Sequence, residues 1–515
     1  MSNAPAETGP LPPATKLTRG DLIAGLSVAL VLIPQSLAYA ELAGLPAYFG
    51  LYAAALPPIA AAFFASSRYL QTGPGAVTAL LTFGALSAFA APFSQEWVEL
   101  AALLALVVGV TRIMLGLVRG GVIAYFMSQP VLVGFTAAAA ILIVSSQLPT
   151  AVGVTAEGDK ILSRLWWTLT HVDEWEIAAI ALSLITVILV AGGRRLHRLF
   201  PGVLVAVAIG LLFSVATDYA GLQVGEVDLS LPQSPFGLDW SDGWSLIVPG
   251  AVIALVGFAE PASIARIYAA QDRERWSPNR ELVSQGVANL ASGLSGGFPV
   301  GGSFSRTSIN HLAGGQTRWS GAISGAAVLA FLPIAGVMSN LPRAVLAAIV
   351  VAAVARLIGL RRLVRFWQQS RAQALVAWFT FGATLALSPR IDIAVVLGIG
   401  LGITVHLWRE VRVPVGSAYA DGVLTIKPQG VVFFGSSPDV EAAMLNLLAD
   451  YPYATRVVFD LAAVGRIDLT GALALKALVE DTRSAGLDAQ IASIPPHARR
   501  VMTAVWDGDA PRGHP

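Results

Sequence analysis

From about residue 21 to residue 408 the chain is a succession of apolar stretches broken by short polar loops, and beyond Arg412 the pattern changes. A membrane-crossing helix needs roughly 20 predominantly apolar residues. The apolar stretches divide into fourteen segments. In the first half they are 21–40, 47–65, 74–92, 97–118, 121–147, 175–192 and 200–217; in the second, 246–265, 280–295, 303–313, 319–339, 342–359, 371–388 and 391–408. Several are shorter than a full crossing. Past Pro414, short alternating or apolar runs predict strands at Gly422–Lys427, Gly430–Gly435, Arg456–Leu461 and Ala489–Ile494. Val440, Ala443, Met444 and Leu447 recur at helical spacing within Pro438–Tyr451, and Gly471–Ala485 reads as a second helix. Strands alternating with helices imply a mostly parallel sheet with helices packed on it. The pattern predicts a polytopic α-helical membrane domain over 17–412 and a cytoplasmic α/β domain over 415–515. A short disordered tail over 1–16, with no signal peptide, precedes them.

Composition agrees with that division. Only 13% of residues are charged, about half the share of a soluble domain (roughly 25%). The 50 Gly and 30 Pro suit membrane helices, which tolerate both. A net charge of +1 gives no nucleic-acid footprint. With no Cys, six His and no acid–base–nucleophile cluster, neither an enzyme, a metal site nor a cofactor is expected.

Loop charges set the orientation. With the N-terminus inside, the inner loops hold Arg68, Arg112, Arg119, Arg194, Arg195, Arg198, Arg266, Arg273, Arg275, Arg318, Arg356, Arg361, Arg362 and Arg365. The outer loops hold Lys160, Arg164, Arg343 and Arg390 with many acids: Glu157, Asp159, Asp173, Asp218, Glu226, Asp228, Asp239 and Asp242. Basic loops favour the cytoplasmic side, so an even number of spans with both ends inside fits, and thirteen spans would scramble the alternation.

Two segments are short and broken by Gly and Pro. One opens with Gln71-Thr-Gly-Pro-Gly-Ala-Val-Thr78; the other follows Gly296-Gly-Phe-Pro-Val-Gly-Gly-Ser-Phe-Ser-Arg-Thr307. They lie seven segments apart, where a 7+7 inverted repeat places paired half-helices near the bilayer midplane. Each half-helix N-terminus offers unpaired N–H groups and roughly half a positive charge, so two facing each other make an anion site. Arg306 lies one turn into the second half-helix. Either it snorkels to the cytoplasmic edge, or it adds positive potential behind an anion. Ser303, Ser305, Thr307 and Thr78 offer hydroxyls, and the small Gly301, Gly302 and Ala76 leave room for something larger than a halide.

Two carboxylates sit among apolar residues. Glu260 lies inside the eighth segment and Glu41 near the outer end of the first. A desolvated carboxylate can take a proton near neutral pH, the requirement for proton coupling. For Glu260 the other reading is an ion pair with Arg266 or a polar contact at a helix end; for Glu41, a structural role.

At these residues the chain resembles the SulP family of anion permeases. The resemblance runs through Ile33-Pro-Gln-Ser-Leu-Ala-Tyr-Ala-Glu-Leu-Ala-Gly-Leu-Pro46, Tyr48-Phe-Gly-Leu-Tyr52, Ala65-Ser-Ser-Arg-Tyr69, Gly73-Pro-Gly-Ala-Val77 and Phe304-Ser-Arg-Thr307. A C-terminal module similar to a STAS domain completes it. The resemblance implies a core domain (segments 1–4 and 8–11) moving as an elevator against a gate domain (5–7 and 12–14), in a homodimer in the bacterial inner membrane. It implies substrate contacts from Gln35, Tyr39, Ala76, Val77, Thr78, Gly302, Ser303, Phe304, Ser305 and Arg306. Sodium-coupled bicarbonate members carry Asp and Thr where this chain has Glu260 and Ile264. Ile cannot ligate a hard cation, so protons are the implied coupling ion, carried by Glu260 or Glu41. Thr470 matches the position phosphorylated on Ser in anti-sigma-factor antagonists, and a plain N-cap is the alternative; a cytoplasmic regulatory partner of this module is possible. The expected function is proton-coupled symport of a small anion: sulfate, bicarbonate or a C4 dicarboxylate such as fumarate. An uncoupled channel or exchanger is the alternative. A nucleobase permease of the same fold is disfavoured by Arg306 and the STAS-like module.

Overall fold

The computed structural model describes residues 17–125, 128–158, 160–193, 200–227 and 243–506. The expected tail 1–16 lies outside these residues, as do Arg194, Arg195, Arg198, Asp159, Asp228, Asp239 and Asp242. The described residues fall into two compact units, one ending at Gly402 and the other running from Ile403.

The first unit is helical. Its helices are α1 (Arg19–Leu42), α2 (Phe49–Phe64), α3 (Ala76–Leu86), α4 (Gln95–Leu117), α5 (Gln129–Ala151), α6 (Ile161–Thr170), α7 (Ile177–Val187) and α8 (Gly202–Thr217). They continue as α9 (Ile247–Gln271), α10 (Pro278–Leu294), α11 (Phe304–Leu312), α12 (Trp319–Phe331), α13 (Arg343–Val354), α14 (Leu360–Gln369), α15 (Arg371–Ala386) and α16 (Ile391–Val411), the last crossing the boundary between the units. Each of the fourteen predicted segments overlaps one of these helices; α6 and α14 fall outside all of them. Among the described residues, seven helical stretches are long and apolar enough to cross a membrane. α3 and α11 are among the short ones, as their Gly/Pro breaks require.

Packing follows an internal symmetry. Advancing seven segments relates α1 to α9, α2 to α10, α3 to α11, α4 to α12, α5 to α13 and α7 to α15. The pairings obey it: α4 packs on α10 as α12 packs on α2, α9 on α4 as α1 on α12, and α5 on α15 as α13 on α7. α2 against α10 is its own counterpart. The fourth helix of each repeat thus lies on the second helix of the other. Contacts also sort into a group holding α1–α4 with α9–α12 and a group holding α5, α7, α13 and α15.

The start of α1 is fixed by a capping box. Thr18 Oγ1 accepts from the Asp21 N–H at 3.1 Å, and the Thr18 N–H donates to Asp21 Oδ2 at 3.0 Å. Asp21 Oδ1 also accepts from the Gln316 and Thr317 N–H groups, at 2.8 and 2.7 Å. A buried carboxylate thereby ties the first helix to the loop before α12.

The second unit contains β3 (Val415–Ala420), β4 (Val423–Pro428), β5 (Gly430–Val432), β6 (Arg456–Asp460), β7 (Val464–Ile467) and β8 (Asp488–Ala492), with α17 (Ser437–Asp450), α18 (Leu469–Ser484) and α19 (Arg499–Val505). The sheet order is β3-β4-β6-β8; β3 runs antiparallel to β4, and β4, β6 and β8 are parallel. β5 and β7 form a separate parallel pair. Leu424, Ile426, Val457, Phe459 and Ile491 alternate into a core closed by Val440, Met444, Leu475 and Val479. The expected mostly parallel sheet is present. β3, β7 and α19 lie outside the elements read from the sequence.

Candidate functional site

The two Gly/Pro breaks come together. β1 (Thr72–Gly73) and β2 (Gly301–Gly302) pair antiparallel, with Thr72 opposite Gly302 and Gly73 opposite Gly301. α3 begins three residues after β1 and α11 two residues after β2, so both N-termini start from one short ladder. At neither start does the N-cap residue supply a side-chain cap: Gly75 has none to offer, and the Ser303 side chain makes no cap bond. Gly75, Ala76, Val77, Ser303 and Ser305 are half-buried and Phe304 is exposed, leaving this end of the ladder open. Two helix N-termini starting from one ladder make a local positive potential.

Arg306 lies beneath this opening and is fully buried, which rejects the snorkelling alternative. A Cβ added to Gly73 would lie 3.5 Å from Arg306 Nη2. Gly73 also has φ +152°, a conformation that favours glycine, and the guanidinium packs against it. Arg306 Nη1 donates to Gln35 Oε1 at 3.5 Å, the outer limit of a hydrogen bond, while Nε and Nη2 have no partner among the described residues. The buried Tyr39 lies within electrostatic reach of Arg306 and Glu260. Glu260 is solvent-accessible, and its Oε1 accepts from the Phe304 N–H at 3.3 Å. The carboxylate therefore sits on the first N–H of α11.

The structure thus gathers Gln35, Tyr39, the start of α3, the start of α11, Arg306 and Glu260. It does not bring in Glu41. That residue pairs with Arg343 Nε at 2.8 Å, joining the end of α1 to the start of α13. Three expectations change. The Thr78 hydroxyl donates back to the Gly75 carbonyl at 3.0 Å, so it is engaged within its own helix. Cβ atoms on Gly302 and Gly301 would meet Leu70 at 2.6 Å and the Gly257 carbonyl at 3.3 Å; these glycines admit protein neighbours and give no measure of substrate size. Thr470 is exposed at the second position of α18, whose N-cap is Asp468, with Oδ1 accepting from Gly471 N–H at 2.7 Å; the N-cap alternative for Thr470 is excluded.

Sequence reading missed the scaffold behind the ladder. Arg112, assigned above to an inner loop, is inside α4 and fully buried. It donates to the Ala254, Val300 and Ile253 carbonyls at 3.1, 2.9 and 3.3 Å. Those carbonyls come partly from the break before β2, whose backbone has no helix or sheet to satisfy it. A polar stripe on α10 braces that break, β1 and the neighbouring α2. Ser284 donates to Ala61 O, Gln285 to Thr72 Oγ1 and Ser292 to Phe298 O. Asn289 both donates to and accepts from the Val300 backbone, at 3.0 and 2.9 Å. The signal for it was the helical spacing of these residues in an apolar context. Arg266, also placed in a loop above, lies within α9. Among the described residues no group of three or more His, Asp or Glu could hold a metal.

Paired broken helices inside an internally repeated helical domain are the architecture of a membrane transporter. A sequence model described as the Sulfate permease family matches residues 18–380, and a STAS domain model matches residues 418–505. A probable sulfate transporter of Mycobacterium tuberculosis is 36% identical over 451 residues, covering 85% of this chain and 76% of the relative. Sulfate transporter 4.1, chloroplastic, of Arabidopsis thaliana is 28% identical over 531 residues, covering 95% and 76%. The chain belongs to the sulfate permease family of anion transporters, which are not enzymes. In fold it is similar to the murine Solute Carrier 26 family member A9 anion transporter (TM-score 0.86, 20% identity, 96% of this chain and 89% of that one). It is also similar to the transmembrane domain of the cyanobacterial bicarbonate transporter BicA (TM-score 0.64, 24% identity, 75% and 97%).

Proposed function

We propose that the chain is a proton-coupled anion symporter whose substrate binds between the N-termini of α3 and α11, above Arg306. The observation that carries this is a fully buried guanidinium with two unpartnered nitrogens beside two paired helix starts, neither capped by its own N-cap residue. A buried cation in that condition is costly unless an anion completes it.

The charges suggest the coupling. Arg306 contributes one positive charge and the helix termini about half each, roughly two in all, which suits a dianion. Ionised Glu260 subtracts one and competes for the Phe304 N–H. Protonating Glu260 removes both effects, so proton and anion favour each other's binding. Sulfate is the first candidate, since the relatives above carry that name; bicarbonate and C4 dicarboxylates such as fumarate share the chemistry. Gln35, Tyr39, Ala76, Val77, Gly302, Ser303, Phe304 and Ser305 shape the site, with Thr78 contributing its methyl group.

The further reading is that fourteen spans over 17–412 place both termini in the cytoplasm of an inner-membrane protein. The group α1–α4 with α9–α12 moves as an elevator against the rest, and a homodimer holds the gates fixed. The module over 415–515 is a cytoplasmic regulatory domain, with Thr470 accessible to phosphorylation. Purified protein in liposomes tests the function: labelled sulfate, bicarbonate and fumarate are offered with and without an inward proton gradient. Accumulation above equilibrium for one anion, abolished by collapsing the gradient, is expected. Uptake that never exceeds equilibrium assigns a channel or exchanger instead.

A further inference from the structure

α14 is built unlike its neighbours. At 100° per residue, Leu360, Leu363, Val364 and Trp367 fall on one arc, and Arg361, Arg362, Arg365, Gln368 and Gln369 on the opposite one. The apolar arc is itself divided. Leu363 is fully buried with Ala137 of α5 and Ala377 of α15, and Phe366 packs beside it. Leu360, Val364 and Trp367 remain 45%, 51% and 52% exposed. One edge of the helix is therefore anchored to protein, the next is bare hydrocarbon, and the third is cationic.

The charge is one-sided over a long reach. No acidic residue occurs between Glu281 and Asp392. Arg356, Arg361, Arg362, Arg365 and Arg371 are all exposed, and among the described residues none is in an ion pair. Exposed arginines without carboxylates, beside exposed apolar residues and a tryptophan, match the boundary of an anionic bilayer. Aliphatic side chains enter the acyl region there, Trp sits at headgroup level and guanidinium groups meet phosphates. A helix facing only water would leave this apolar edge unexplained, and one facing only hydrocarbon would strand the cations.

We propose that α14 lies in the membrane interface and binds the headgroups of anionic phospholipids through Arg361, Arg362 and Arg365, with Leu360, Val364 and Trp367 inserted among the acyl chains. These arginines belong to no part of the candidate anion site, so lipid binding and transport are separable.

Full-length protein in detergent is titrated with phosphatidylglycerol or with phosphatidylcholine of the same chains, and bound lipid is counted by native mass spectrometry. Phosphatidylglycerol is expected to bind at least tenfold tighter. The triple variant Arg361→Gln, Arg362→Gln, Arg365→Gln is expected to lose roughly fivefold per cation removed, while the triple Lys variant retains most of the preference. Raising salt from ~0.1 to ~1 M, which shortens the Debye length from about 10 to about 3 Å, should erode the preference in the native protein. Equal binding of the two lipids, or an unchanged preference in the Gln variant, overturns the proposal. So does full displacement of phosphatidylglycerol by inorganic phosphate, which would assign the arginines to a soluble anion. If the triple Gln variant fails to fold, Arg365→Gln and the salt series decide by the same criteria.

Discussion

Replacing Arg306 by Met removes the charge and keeps most of the volume, and the structure assigns opposite signs to its two consequences. Without anion, the protein loses a buried cation whose Nε and Nη2 have no partner and whose Nη1 has only a 3.5 Å contact. Unsatisfied buried donors cost about 1–3 kcal/mol each, so the variant should melt at the same or a higher temperature than the native chain. With anion the sign reverses. Truncating one partner of a buried, hydrogen-bonded charge pair costs about 2–5 kcal/mol, or roughly 30-fold to several thousand-fold in affinity. The assay pairs thermal unfolding of purified protein, with and without sulfate, with uptake into liposomes. The native chain should be stabilised by sulfate as mass action requires, and the variant should show neither stabilisation nor measurable uptake. A variant that melts well below the native protein yet is still stabilised by sulfate would mean that Arg306 is a structural strut, and would refute the charge argument.

Glu260→Gln fixes a neutral side chain at the start of α11. It should abolish proton-driven accumulation while preserving exchange of labelled for unlabelled anion; persistent accumulation would remove Glu260 from coupling. Glu41→Gln breaks only the pair with Arg343 and should leave proton-driven uptake intact, as read from initial rates. Gly257→Ala places a Cβ 2.6 Å from Arg112 Nη2, and overpacking of that kind costs roughly 1–3 kcal/mol. It should lower thermal stability and transport together, and a variant that loses neither would contradict the tight packing of α9 on Arg112. Light scattering in detergent and particle counting in lipid should both report a dimer; a monomer in both would contradict the proposed fixed gate.

What the sequence disclosed follows from how far each signal reaches along the chain. Gln71–Thr78 and Gly296–Thr307 were legible because Gly and Pro act locally on the helix that contains them. Their meeting was legible only through the seven-segment offset, and the ladder was not, since two-residue strands have no periodicity. Arg112 was misplaced for a related reason. A lone arginine near the end of an apolar run resembles a snorkelling residue, and its acceptors lie 141 to 188 residues away. The α14 sequence reads as a loop because its arginines interrupt the apolarity that delimits spans. Its alternation at helical spacing carried the missing information. The proximity of Glu260 to the Phe304 N–H is set by how α9 packs on β2, which neither segment encodes by itself.

The crossed packing of the two repeats also has a consequence in time. Arg112 Nη1 donates to a carbonyl 188 residues later in the chain, and at about 5–20 residues per second the ribosome needs roughly 10–40 s to deliver it. Through that interval α4 is already synthesised, with an arginine inside it and neither the α9 carbonyls nor Val300 to receive it. The nascent half must therefore hold that cation at the bilayer surface or beside an insertion factor until its counterpart arrives. Synthesis stalled between α4 and α9 should leave a species retained by the insertion machinery, whereas release after Val300 should let the two halves close together.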